Sequence, residues 1–143
     1  MITSSKSGFE PLLLRQAKNS KHQGDIGMAI AIAWLATNGY RVAIPLTDSQ
    51  DYDLVIEVEG KFATVQVRTT YYRTKATGNF QVTLKVTGGN RSGTGKTKYF
   101  TESGVDFLFV VTDNHDMYFI PRVEIEAKVA LTLCEKYEQY RVY

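Results

Sequence analysis

The segment V-D-F-L-F-V-V at residues 105–111 constrains the fold more than any other part of the chain. A strand with one exposed face alternates between apolar and polar residues, whereas this run is almost wholly apolar. We therefore expect a strand at residues 105–111 that lies in the middle of a sheet, buried on both faces. Polar residues 113–116 predict a turn after it, and M-Y-F-I predicts its partner strand.

Residues 52–70, Y-D-L-V-I-E-V-E-G-K-F-A-T-V-Q-V-R-T-T, predict a hairpin with strands at 52–58 and 62–70 and a turn at 59–61. Before it, residues 25–38 predict a helix that Gly39 ends, and residues 40–44 predict a short strand that stops at Pro45. The helix would lie on the sheet through the residues at helical spacing, which are Ile26, Ala29, Ile30, Ala33, Trp34 and either Ala36 or Thr37.

The remaining segments carry weaker patterns. Residues 80–86 alternate as a strand does, and residues 121–128 predict a short helix that begins at Pro121. Residues 129–133 and 140–143 could each form a strand, and residues 9–14 form a short apolar cluster. We divide the chain into an extension at 1–20, a core at 21–126 and a tail at 127–143.

Composition limits the class of protein. The chain has 143 residues, 43% of them hydrophobic, which fits one compact domain with a core of its own. It has neither an apolar run long enough to cross a bilayer nor an N-terminal signal peptide, so we expect a soluble, cytoplasmic protein with no membrane partner. The single cysteine, Cys134, excludes an internal disulfide and, without a neighbouring ligand cluster, a zinc site.

Charge is distributed unevenly along the chain. Residues 60–101 contain eight basic and no acidic residues, although the formal net charge of the whole chain is only +2. The same segment is rich in glycine, hydroxyl and tyrosine residues, a composition typical of surfaces that contact phosphates. We therefore predict that it binds nucleic acid, through the residues Tyr71, Tyr72, Arg73, Lys75, Gln81, Thr83, Lys85, Arg91, Lys96 and Lys98.

The predicted hairpin carries candidate catalytic residues. Asp53 lies near the start of its first strand, while Gln66 and Arg68 share one face of the second because side chains alternate along a strand. A phosphodiester is cleaved most readily when oxygen ligands hold a hard divalent cation and a positive group offsets the developing charge. Asp53 and Gln66 could hold the ion, with Arg68 as the positive group.

The segments K-H-Q-G-D-I-G-M-A-I-A-I-A-W-L-A-T-N-G-Y, R-V-A-I-P, Y-D-L-V-I and V-Q-V-R-T resemble the pattern of the PD-(D/E)XK nuclease superfamily. More narrowly, they are similar to bacterial and cyanobacterial homing endonucleases encoded in group I introns, in which glutamine replaces the second acid. The segments Y-Y-R-T-K, G-G-N-R-S-G, V-D-F-L-F-V-V and Y-F-I-P extend the resemblance to about residues 21–126.

The resemblance implies an α/β (α+β) fold with a mixed central sheet and flanking helices. It also implies cleavage of double-stranded DNA with Mg²⁺ or Mn²⁺, and a homodimer or homotetramer that brings several active sites to one target. Asp53 matches the metal-binding aspartate, Gln66 the D/E/Q position and Arg68 the lysine. Arginine departs from the pattern because it is bulkier and stays protonated. Met28 stands where the superfamily often has a helical glutamate, and Asp25 could either replace it as a metal ligand or cap the helix.

Other interpretations of the same residues stay open. Asp53 could be a turn acid like Asp48 and Asp51, and Gln66 with Arg68 could be a solvent-facing pair. Because Arg68 replaces lysine, the chain could also be a DNA-binding module that does not cut, and a restriction or repair nuclease would use the same chemistry. A nucleotide-binding loop is disfavoured, because G-G-N-R-S-G-T-G-K has Asn90 where the motif requires glycine.

Overall fold

The computed structural model of the protein describes residues 11–87 and 97–143. The helix and strands in chain order are α1 (Ser20–Thr37), β1 (Arg41–Ala43), β2 (Leu54–Val58), β3 (Lys61–Thr70), β4 (Gln81–Thr83), β5 (Lys85–Thr87), β6 (Thr97–Tyr99), β7 (Phe107–Thr112), β8 (Met117–Pro121) and β9 (Ala130–Thr132). Short 3₁₀ helices span Leu14–Gln16, Phe100–Glu102, Arg122–Glu124 and Glu135–Tyr140. Within these described ranges, no helix is both long enough and apolar enough to be a membrane span.

A five-stranded mixed sheet in the order β1-β2-β3-β7-β8 forms the centre of the fold. Neighbouring strands are antiparallel except β3 and β7, which run parallel. Strands β4 and β9 form one separate two-stranded sheet, and β5 and β6 form another. The α/β fold class with a mixed central sheet, expected from the sequence, is therefore confirmed.

Strand β7 lies between two hydrophobic clusters, as its apolar sequence predicts. We call the cluster under α1 the helix-side cluster; its buried members are Leu14, Ala31, Leu35, Leu54, Ile56, Val65, Phe109 and Val111. We call the cluster on the opposite face the far-side cluster; its buried members are Phe80, Val82, Leu84, Phe100, Val105, Leu108, Val110, Tyr118, Ile120, Ile125, Leu131, Leu133 and Tyr137. Successive residues of β7 alternate between the two, so this strand is the boundary between both cores.

The predicted hairpin is confirmed as β2 and β3. A two-residue turn joins them, in which Glu59 has φ 51° and Gly60 has φ 78°. Positive φ at both central residues is the conformation that matches the twist of the flanking strands, and glycine adopts it without a steric penalty. The turn fixes the register of β2 and β3, which pairs Leu54 with Val65.

Helix α1 begins five residues earlier than the sequence analysis placed it. The side chain of Asn19 caps its N-terminus by accepting a hydrogen bond from the His22 main-chain N–H at 2.8 Å, so Asp25 is not the cap. The predicted packing face is also wrong in part, because Ala29 and Ala33 are exposed. The helix is apolar on most sides, so its spacing could not specify which side packs; the buried residues are Gly27, Ala31 and Leu35.

Three further predictions need correction. Residues 80–86 do not form one strand: Leu84 separates β4, which pairs with β9, from β5, which pairs with β6. The alternation of apolar residues is present, since Phe80, Val82 and Leu84 are all buried, but the partner strand changes along the segment.

The predicted helix at 121–128 is only the 3₁₀ turn Arg122–Glu124. Residues 140–143 form no strand; only Arg141 makes an isolated bridge, to Tyr118.

Candidate active site

One face of β3 carries polar side chains at the centre of the molecule. Val65 belongs to the helix-side cluster, and Val67 packs against it. Because side chains alternate along a strand, Gln66 and Arg68 lie on the opposite face of β3. Their parallel partners on β7 are Leu108 and Val110, both members of the far-side cluster. The fold therefore places an amide and a guanidinium side by side next to an apolar core.

Asp53 is held against β3 by two contacts. It directly precedes β2, and its main-chain N–H donates to the Val65 carbonyl at 2.9 Å. Its Oδ2 accepts the main-chain N–H of Val67 at 2.8 Å. Because Val67 lies between Gln66 and Arg68, the carboxylate is fixed at the level of those two residues along the strand.

The amide of Gln66 has a defined orientation. Only 8% of the residue is exposed, and its Nε2 donates to the main-chain carbonyl of Asp51 at 3.0 Å. A carbonyl oxygen only accepts hydrogen bonds, so the amide nitrogen must face Asp51. Oε1 therefore points away from Asp51, and it is buried with no hydrogen-bond partner among the described residues.

Arg68 combines burial with an acidic neighbour. Burial lowers the pKa of its guanidinium below the ordinary value, and the charge of Asp53 opposes this shift by raising the pKa. An arginine stays protonated at neutral pH in either case, so Arg68 is a buried cation. Its Nε is a further buried atom with no hydrogen-bond partner in the part of the chain that the structure describes.

These residues fit a hard divalent cation. Mg²⁺ prefers oxygen ligands, keeps several waters and is usually bound through one or two carboxylates together with substrate phosphates. The carboxylate of Asp53 and the unpartnered amide oxygen of Gln66 supply such ligands. The described residues 11–87 and 97–143 contain no group of three His, Cys, Asp or Glu side chains that could hold a metal by themselves. A site of this kind would therefore depend on water and on a bound phosphate.

Asp51 has a part in the site that the sequence analysis missed. Besides accepting from Gln66, it forms an ion pair between its Oδ2 and the Nζ of Lys98 on β6. The contact to Gln66 is made by the main chain, which every residue type has, so no sequence pattern could have indicated it. Lys98, predicted as a phosphate contact, has this carboxylate as its partner.

Some of the residues predicted to contact DNA are exposed, and others have side chains that contact the protein itself. Tyr71 and Tyr72 directly follow β3 and are each 54% exposed. Arg73 instead stacks on the Phe80 ring, 3.7 Å from its centroid, and its Nη1 donates to the Gly78 carbonyl. The side chain of Gln81 donates to Thr132. Lys75, Thr83 and Lys85 are also exposed, and two predicted contacts, Arg91 and Lys96, lie outside the described residues.

Asp25 belongs to the helix that packs on the sheet. It lies inside α1 with an exposed side chain, one turn before the exposed Ala29. The helix covers the sheet face that Val65 and Val67 occupy, whereas Gln66 and Arg68 lie on the opposite face. Asp53 and Gln66 are the candidate ligands at β3, and metal binding by Asp25 stays a prediction.

Known proteins similar to this chain point to one chemistry. The profile of a family described as PD-(D/E)XK endonuclease matches residues 18–141. Among solved structures, a bacterial homing endonuclease, I-Ssp6803I, is similar with 28% sequence identity and a TM-score of 0.69, over 86% of this chain and 88% of that one. MepB matches with 14% identity and a TM-score of 0.36, over 76% of this chain and 83% of that one. Similarity this low is no basis for assigning a function. No curated protein sequence matches the chain.

Proposed function

The chain belongs to the PD-(D/E)XK endonuclease family, and on this premise we propose that it is a site-specific, divalent-metal-dependent endonuclease that cuts double-stranded DNA. We further propose that it is of the intron-homing type, which the likeness to the homing endonuclease I-Ssp6803I supports. The observation that carries the proposal is the polar face of β3, where Gln66 and Arg68 lie beside the carboxylate of Asp53.

The proposed roles follow from the chemistry of the three side chains. Asp53 and Gln66 would hold Mg²⁺ or Mn²⁺ through a charged and a neutral oxygen, and the bound ion would supply Lewis acidity toward the scissile phosphate. Arg68 would donate hydrogen bonds to a phosphate oxygen and offset the negative charge that develops there. A protonated guanidinium is a poor base, so we assign no proton transfer to Arg68.

The surroundings of the site support DNA as the substrate. The exposed Tyr71 and Tyr72 continue directly from β3, three and four residues beyond Arg68. Lys75, Thr83 and Lys85 are exposed on the segment that follows, within residues 60–101, where the sequence has no acid. We propose that this surface contacts the phosphates of a duplex. Since one site cuts one strand, we propose that two or more copies act together on a target.

A second candidate function rests on one observation. Arg68 stands at the position that matches the family lysine, and it is a protonated guanidinium beside Asp53. A lysine can lose its proton on burial and orient water, whereas arginine keeps its proton. The second candidate is therefore a module of the same fold that binds DNA without cutting it.

One experiment separates the two candidates. Duplexes that the protein retains are first selected from a randomised library in the presence of EDTA, and the selected pool is then incubated with Mg²⁺ or Mn²⁺. The proposed nuclease cuts the pool at a defined position, and EDTA or Asp53→Asn abolishes the cut. Glu135→Gln is a matched control, because it also removes one carboxylate charge, at an exposed residue outside the proposed site.

The results of this experiment distinguish the binding module from the nuclease. Retention of DNA without any cleavage supports the binding module, and cleavage restored by Arg68→Lys then identifies the arginine as the reason. Cleavage that persists equally in EDTA and in Asp53→Asn contradicts the proposed function.

A further inference from the structure

We propose that Lys98 and Asp51 act as a positioning pair for Gln66, so that β6 sets the direction of the amide oxygen. The role of that oxygen as a metal ligand rests on the proposed function, whereas its orientation by Asp51 and Lys98 does not. Neither Asp51 nor Lys98 would touch the reacting atoms. Both would act through the amide of Gln66.

The first step concerns the unpartnered oxygen. A buried acceptor without a hydrogen bond destabilises a fold, so its direction needs a cause. Gln66 has a single rotatable amide whose nitrogen is tied to the Asp51 carbonyl at 3.0 Å. Rotating the amide by half a turn would place two carbonyl oxygens against each other. The position of the Asp51 carbonyl therefore decides where Oε1 points.

The second step concerns what fixes Asp51. This residue lies before β2, outside every helix and strand of the described chain. Its carboxylate contacts Lys98 Nζ, which comes from a strand 47 positions later in the sequence. Strand β6 pairs with β5 in the register Val86 to Lys98 and is not part of the five-stranded sheet. The ion pair thus connects the β5–β6 hairpin to the segment that orients Gln66.

The third step compares the effect of the ion pair on stability with its effect on the position of Gln66. The side chains of Lys98 and Asp51 are 50% and 38% exposed, and ion pairs at such exposed positions add little to the stability of a fold. Loss of the pair should therefore leave the protein folded. Displacement of a reacting group by about 1 Å, however, can lower a rate about 10²-fold, and loss of a residue that orients a metal ligand lowers metal affinity about 10–100-fold. The positioning effect should exceed the effect on stability.

The direct test is the NMR signal of the Gln66 side-chain amide in ¹⁵N-labelled protein without metal or DNA, assigned by its loss in Gln66→Met. We expect Lys98→Met and Asp51→Asn to move this signal toward that of an exposed glutamine. Lys98→Arg should keep it in place, because arginine retains the ion pair. Lys85→Met is the matched control, since it removes an exposed charge from the same hairpin and should not move the signal.

A second readout uses metal dependence. On the selected DNA pool, Lys98→Met should raise the Mg²⁺ concentration for half-maximal cleavage about tenfold. The DNA affinity of the Lys98→Met variant should fall no more than the DNA affinity of the Lys85→Met variant. The double variant Asp51→Asn with Lys98→Met should be no worse than either single variant, because the two residues act as one unit.

Two results would overturn the inference: an unmoved Gln66 signal in folded Lys98→Met, or strictly additive effects in the double variant. A wild-type protein that cuts no DNA would contradict the proposed function instead, and the amide signal would still decide the role of the ion pair.

Discussion

The side chains on one face of β3 pack in an apolar cluster, whereas those on the other face include polar atoms without hydrogen-bond partners among the described residues. On one face, Val65 and Val67 pack with α1 and with Phe109 in the helix-side cluster. On the other face, Gln66 and Arg68 each retain a buried polar atom without a hydrogen-bond partner. One strand of ten residues thus contributes both to an apolar core and to a polar site.

This difference indicates where the molecule can bind something. A closed apolar face has nothing to gain from a ligand, whereas buried donors and acceptors without partners gain a full interaction from one. Four such side-chain atoms occur among the described residues, and two of them belong to Gln66 and Arg68. The other two belong to His115 and Arg122, so the polar face of β3 is the place where two such atoms lie on one face of one strand.

The largest expected effect is on the polar face. Asp53→Asn should lower DNA cleavage about 10²–10⁴-fold, because it removes the charged oxygen while a neutral side-chain oxygen can still accept from Val67 N–H. Single-turnover cleavage of the selected duplex measures the rate, and circular dichroism checks the fold. A folded variant with wild-type rate would remove Asp53 from the proposed site.

The matching change on the apolar face should act on stability instead. Phe109 is fully buried under α1, so Phe109→Ala should lower the free energy of unfolding by about 3–5 kcal/mol. Urea denaturation measures the change. At a temperature where the variant is folded, its cleavage rate per folded molecule should stay within about threefold of wild type. A selective loss of cleavage would show that the two faces are not independent.

Two glycines of α1 provide an internal comparison on the helix side. A Cβ at Gly27 would lie 2.2 Å from Thr69 Cγ2, whereas a Cβ at Gly24 would meet nothing within 4 Å. Gly27→Ala should therefore destabilise the fold by about 1–3 kcal/mol. Gly24→Ala should stabilise it by up to about 1 kcal/mol through helix propensity. Equal thermal shifts of the same sign would contradict the close approach of α1 to β3.

The smallest effects are expected at the margin of the polar face. Lys75→Met should weaken DNA binding modestly and reduce the slope of log affinity against log salt by about 0.9, the value for one phosphate contact. Arg73→Met should mainly lower the thermal unfolding midpoint, because Arg73 packs on Phe80. Fluorescence anisotropy at several salt concentrations measures the slope. An unchanged slope for Lys75→Met would exclude Lys75 from the DNA surface.

Much of the central sheet could be predicted from the sequence. The alternation in residues 52–70 and the apolar run that contains β7 are dictated by burial on one or two faces, and both predictions are confirmed. The family resemblance is confirmed as well. These features depend on the period of apolar residues, which the sequence displays directly.

Other features depend on contacts that no local pattern contains. The packing face of α1 is set by the approach of Gly27 to Thr69, which only the assembled layers reveal. The break at Leu84 follows from its hydrogen bond to Val129, a residue of a distant segment. In the candidate site, the common face of Gln66 and Arg68 could be predicted from the alternation of side chains along a strand. The orientation of Gln66 could not, because it is set by the main chain of Asp51.

The central claim is that Asp53 and Gln66 provide oxygens to one hard cation. Crystals grown or soaked with Mn²⁺ and measured near the manganese absorption edge test it most directly. The account predicts an anomalous peak that lies between about 2.0 and 2.6 Å from both Asp53 and Gln66 Oε1. A manganese peak elsewhere, with Gln66 Oε1 turned toward a protein donor, would contradict it.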